Sequence, residues 1–157
     1  MKLPGFLNQP QPGNSRAIPG ALFHFLVKGE QTGDAHALLK IDVQPGAEPP
    51  EHVHANEDEA YYLLEGKITF KIGDDFFEAT AGDYVYLPKE VSHTFQVKTD
   101  VAKVLMWISP AGLDQWFWDN SAPAEDMKAL PPLQGPPPPH VITHNTETLK
   151  DYGVEMI

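Results

Sequence analysis

From residue 21 to residue 109 the chain repeats one device: short runs of alternating apolar and polar side chains, each closed by turn residues roughly every eight to twelve positions. Alternation with period two puts all the apolar residues of a run on one face of a strand. In "GKITFKIGDD", Ile68, Phe70 and Ile72 face one way and Lys67, Thr69 and Lys71 the other, and "GDD" at 73–75 reads as a hairpin turn from which Phe76–Glu78 returns. "ALFHFLVK" opposes Phe23, Phe25 and Val27 to Lys28, and "HALLKIDV" opposes Leu39, Ile41 and Val43 to Lys40 and Asp42. Tyr61–Leu64, Tyr84–Leu87, His93–Val97 and Ala102–Ile108 bring the total to about eight strands. Short strands at this spacing predict an all-β sandwich or barrel.

Outside that region the composition changes. Residues 1–20 hold four prolines and "LPPLQGPPPP" (130–139) holds six, so both read as extended stretches. Helical patterns are expected late, over 112–120, 123–130 and 145–153, the last with Asn145 as cap and Gly153 as stop. The expected organisation is an N-terminal arm (1–20), one barrel (21–110) and a C-terminal extension of short helices and proline-rich chain packed on it (111–157). A chain of 157 residues is enough for one self-sufficient core. Eleven basic residues against 22 acidic ones leave a net charge of −11, which repels nucleic acid and anionic membrane. No segment reads as a signal peptide or a membrane span, so the cytoplasm is the expected location. The absence of cysteine excludes disulfides, thiolate metal sites and cysteine nucleophiles.

"PPEHVHANEDEAYYLLEG" (49–66) carries the chemistry. His52 and His54 are two apart, so in a strand they share a face. Two inward imidazoles are costly unless their nitrogens are satisfied, and a divalent metal satisfies them. Glu59 opens the next apolar run with the parity of Tyr61 and Leu63, and His93 opens a later strand. Three nitrogens and one carboxylate oxygen leave coordination positions open, as a catalytic site requires. Nickel, cobalt, iron, manganese, copper and zinc all suit this donor set.

Gly46, His52, His54, Glu59 and Gly66 stand at the spacing of the first cupin motif, and Gly82, Pro88 and His93 at that of the second. Two positions depart from the pattern: Glu90 stands where a glycine is usual and Val97 where an asparagine is usual. Residues 20–157 resemble single-domain cupins similar to quercetin 2,3-dioxygenase. The resemblance implies a double-stranded β-helix, or jelly-roll, with one divalent transition metal held in its mouth by His52, His54, Glu59 and His93. It also implies a homodimer, a small-molecule substrate and dioxygenase chemistry on a flavonol or related aromatic enol. In that chemistry Glu59 would be the catalytic base as well as a ligand. Isomerisation, cyclisation or hydrolysis without dioxygen, and binding without turnover, use the same parts.

Other residues carry weaker expectations. Tyr61, Phe70, Phe95 and Met106 are candidate pocket walls, with Phe76 and Ile108 beside them. Glu51, Glu57, Asp58 and Glu65 read as a solvated acidic surface. His24 and His36 read as outward or interfacial. His140 and His144 follow four prolines, which argues against a helical second metal site. "WFW" (116–118) reads as a lid, a dimer contact or a helix packed on the barrel.

Overall fold

The computed structural model describes residues 2–157. Strands β1 (Ser15–Ile18), β2 (Ala21–Val27), β3 (Ala37–Val43), β5 (Asp58–Glu65), β8 (Tyr84–Leu87), β10 (Ala102–Ser109) and β11 (Ala122–Pro123) form one sheet in the order β11-β1-β2-β3-β10-β5-β8. Strands β4 (His52–His54), β6 (Lys67–Ile72), β7 (Asp75–Thr80), β9 (His93–Val97) and β12 (Val154–Met156) form the second, in the order β12-β4-β9-β6-β7. Every pairing is antiparallel. The two sheets enclose one apolar core, and the fold is the expected all-β jelly-roll.

Period-two patterning explains why the core closes. Along β3 every second residue is buried, and β10 repeats the rhythm. Leu39, Leu63, Ile68, Phe70, Val104, Met106 and Ile108 are the inward set. Each such side chain removed from water contributes about 1.5–3 kcal/mol. The β6–β7 hairpin turns on Gly73 and Asp74 alone, with Gly73 at φ 57°, so Asp75 is already strand. That register pairs Lys71 with Phe76, which therefore shares the outward face and is 68% exposed. Phe76 is not a pocket wall.

Four further expectations are corrected. No helix forms over 123–130; Ala122 and Pro123 instead pair with β1. The last helix, α3 (Pro139–Lys150), begins at its proline rather than at Asn145, because a first-turn proline has no amide to leave unpaired. His140 and His144 thus lie one turn apart on a helix after all, but both are exposed and His144 Nε2 bonds Asn120 Oδ1 at 2.9 Å. His24 is buried rather than outward, with Nδ1 2.7 Å from Ser15 Oγ. Strand β2 lies inside the sheet and is covered on both faces, so parity says nothing about its exposure.

A four-residue helix, α1 (Gly29–Thr32), follows β2, and the helix α2 (Leu113–Asp119) lies on the barrel wall, with Phe117 against Phe23 and Trp118 edge-on to Phe25. The proline-rich segment also packs down. Gly20 donates to the Pro131 carbonyl, and a Cβ at Gly20 would stand 2.8 Å from Leu133. His36 stacks on Trp107 at the surface.

One short strand and one turn position the chemistry. Strand β4 is only three residues long and meets β9 at a single pair, His52 with His93. Its other edge is covered by β12 along its whole length, Val154 opposite His54 and Met156 opposite His52. The loop before β9 is held by Glu90, whose amide donates to the His54 carbonyl at 2.7 Å. Glu90 adopts φ 64°, the left-handed conformation that a glycine accepts freely. Left-handed backbone costs a side-chain-bearing residue about 1–2 kcal/mol. Glu90→Gly is therefore expected to stabilise the protein by about 0.5–1 kcal/mol after glycine's own entropy is counted. Urea unfolding midpoints measure it; a loss of stability would mean that the Glu90 side chain contributes more than its strain costs.

Candidate metal centre

His52 and His54 project inward from β4, His93 from the neighbouring β9, and Glu59 from β5 in the opposite sheet. All four side chains are buried, and one ligand atom from each lies within 4.8 Å of the others. The imidazole centroids are 4.5–5.0 Å apart. Glu59 Oε2 is 3.3 Å from His93 Nε2 and 3.7 Å from His54 Nε2.

The outer ring nitrogens fix the inner ones. His52 Nδ1 is 2.7 Å from the Pro50 carbonyl, His54 Nδ1 is 2.6 Å from Glu57 Oε1, and His93 Nδ1 is 3.3 Å from the Val91 carbonyl. A carbonyl or carboxylate only accepts, so each Nδ1 carries the proton and each Nε2 a lone pair. His54 Nε2 and His93 Nε2 are buried and have no hydrogen-bond partner. They face a carboxylate oxygen, which is another acceptor. Lone pairs converging in a dry space, with no proton between them, are what a cation satisfies. The donor set fits a divalent transition metal.

The electrostatics differ from ring to ring. Burial, then repulsion from His93, pushes His52 down to about 4. Burial alone would raise the Glu59 carboxyl, but the facing rings of His93 and His54 hold it below its usual value. Burial would likewise lower His54, yet the carboxylates of Glu57 and Glu59 hold it above the ordinary range.

Just inward along the same strands stand the apolar candidates. Tyr61 follows Glu59 by two positions and Phe95 follows His93 by two, so they share the ligands' faces. Tyr61, Phe70 and Phe95 meet at centroid distances of 5.4–5.8 Å, and the Tyr61 hydroxyl donates to Met106 Sδ at 3.1 Å. All four are buried. Burial and the nearby Glu59 charge raise the Tyr61 phenol well above its usual value.

The acidic residues around the site do not all read as a solvated surface. Glu65 does: it is largely exposed and pairs with Lys103. Glu51 binds Lys71 at 2.7 Å and Ser92 Oγ at 2.9 Å, and Asp58 accepts from the Lys89 amide. Glu57 is buried against His54. Its position in a three-residue loop between β4 and β5 gave no sequence signal for this. At the two motif departures, Val97 packs into the core while its amide donates to Glu48 Oε1, and Glu90 makes the glycine-type turn described above.

Among the described residues no helix is long and apolar enough to cross a membrane. Residues 39–109 match the cupin domain family. The chain is similar to the quercetin 2,3-dioxygenase of Bacillus subtilis (strain 168), 22% identical over 111 residues that cover 70% of this chain and 33% of that protein. It is also similar to the quercetin 2,3-dioxygenase of Aspergillus japonicus, 26% identical over 119 residues, with 70% and 33% covered. The chain thus spans about a third of the length of these relatives. Among solved structures, an RmlC-like cupin from Shewanella frigidimarina NCIMB 400 superposes with a TM-score of 0.54 at 23% identity, covering 64% of this chain and 86% of that one.

Proposed function

We propose that this cupin domain is a metal-dependent dioxygenase acting on a flavonol or a related aromatic enol, with one divalent transition metal held by His52, His54, Glu59 and His93. The observation that carries the reading is the pair of buried, partnerless Nε2 atoms opposite Glu59 Oε2. Bound there, such a metal supplies Lewis acidity toward an enol or phenol oxygen. Among the described residues Glu59 is the carboxylate within 4.8 Å of the ligand nitrogens of all three imidazoles, whereas Glu57 holds the outer nitrogen of His54, so Glu59 is the base that takes the substrate's hydroxyl proton. Tyr61, Phe70, Phe95 and Met106 form the apolar floor beneath an aromatic ring and exclude water from the ligand atoms. Substrate charge is constrained as well. Arg16, the only arginine in the chain, binds Ser121 and lies 4.6 Å over the Trp118 ring. Lys71, on the strand next to β9, is taken by Glu51. A dicarboxylate or a nucleotide finds no free guanidinium here, which favours a neutral phenol or enol.

Elemental analysis of protein made without added metal, followed by an oxygen-electrode screen of flavonols and other polyphenols, tests the reading. Oxygen uptake that depends on bound metal is the expected result. Conversion that continues without oxygen would replace the dioxygenase with an isomerase, cyclase or hydrolase. Ligand-induced stabilisation without conversion would leave a binding protein.

We also propose a homodimer. The outer face of the larger sheet exposes Tyr62 (43%), Tyr84 (64%), Tyr86 (49%) and Trp107 (45%). Tyr62 pairs across strands with Tyr84, Trp107 with Ala60, and Ala60 with Tyr86, so these rings are neighbours on one patch. A contiguous patch of this kind marks an association surface. Trp116 and Trp118 do not contribute, because α2 turns them onto the barrel. Sedimentation equilibrium should give a dimer at micromolar concentration and a monomer for Trp107→Glu with Tyr62→Asp. A wild-type monomer would remove the proposal.

A further inference from the structure

Glu57 is 4% exposed, and the one hydrogen bond its side chain makes among the described residues runs to His54. A carboxylate is rarely removed from water without a strong reason. Fixing the His54 tautomer is not reason enough. His52 and His93 have theirs fixed by the backbone carbonyls of Pro50 and Val91, which carry no charge and cost no buried ion. What Glu57 adds is a full negative charge placed behind one ligand. Such a carboxylate makes the histidine a better donor and holds its ring in one orientation. It also completes the charge balance. Glu59 supplies one negative charge to the cluster, and Glu57, through His54, supplies the second that a buried dication needs.

We infer that Glu57 is a positioning residue of the metal centre, keeping the His54 proton on Nδ1 so that Nε2 faces the cation and neutralising the cation's second charge. This rests on the metal reading above and deepens it. It makes His54 the strongest nitrogen donor of the three. It also makes the loaded site electrically neutral, so a neutral phenol enters without a charge penalty.

Two measurements separate the inference from the reading beneath it. In the first, metal-free wild type, Glu57→Gln and Glu57→Ala are titrated with Co²⁺ and with Zn²⁺ alone, against a chromophoric chelator. The glutamine keeps an acceptor oxygen and loses the charge, while alanine loses both. Losses of about tenfold for glutamine and about a hundredfold for alanine are expected. In the second, ¹⁵N NMR of the metal-free proteins reads the His54 tautomer. The Nδ1–H form is expected in wild type and Glu57→Gln, and a mixture in Glu57→Ala. Wild type that binds neither metal overturns the metal reading, and the His54 tautomer then still decides the positioning role. Wild type that binds metal no more tightly than both variants overturns the role of Glu57. Should Glu57→Ala fail to fold, the glutamine titration and the wild-type tautomer decide alone.

Discussion

Replacing His54 with alanine is expected to abolish stoichiometric metal binding while leaving the barrel folded, and to remove turnover with it. Three ligands would remain, but the substitution does more than delete a donor. It strips Glu57 of its hydrogen-bond partner and leaves a carboxylate buried alone. An unsatisfied buried acceptor costs about 1–3 kcal/mol, and a charged one more. His54→Ala should therefore unfold at lower urea than wild type even when both are metal-free. A second substitution, Glu57→Ala, should return part of that loss, because the stranded charge goes with it. Metal content by elemental analysis and unfolding midpoints in chelator measure the two effects on one preparation. Full metal occupancy in His54→Ala would remove this residue from the ligand set.

Glu59→Gln is expected to separate binding from chemistry. The amide keeps the shape of the side chain and an oxygen that can face His93 and His54 Nε2, but it has neither the charge nor the basicity of the carboxylate. Facing imidazoles hold the Glu59 carboxyl below its ordinary range, so it is ionised at neutral pH. A group held that low is a weak base until substrate arrives and shares its proton. Much of the metal should remain, while turnover falls about 10²–10⁴-fold, the usual loss of a general base. Metal and turnover must be read on the same sample, since metal loss alone would imitate the result. A metal-loaded variant working at near wild-type rate would make Glu59 a ligand only, with the substrate proton leaving to solvent.

Much of the fold and of the metal centre is legible in the sequence. Alternation located β2, β3, β5 to β10 and their inward residues, because a barrel with one buried face enforces period two. It missed β1, β11 and β12. These are strands of four, two and three residues, and they exist because distant partners supply their hydrogen bonds. The histidine pair was legible for the same reason as the strands. The residues that orient the rings were not. Pro50 and Val91 act through carbonyls that any residue owns, and the burial of Glu57 is decided by how its loop folds back. His24 misled because parity assumes one wet face, and its strand has none.

The strand β4 has a further consequence for the order of events in folding. The hairpins β2–β3 and β6–β7 close over short loops and can form early. Strand β4 has no such local partner: it waits for β9 at one position and for β12, a hundred residues further on, at three. Closing loops of that length delays its docking until most of the barrel stands. Two of the four ligands therefore come into place near the end of the search, and a cation would meet a nearly finished barrel. It would serve as a latch and not as a nucleus: its stabilisation would appear as slower opening of the native protein, with the rate of reaching the barrel left as it was.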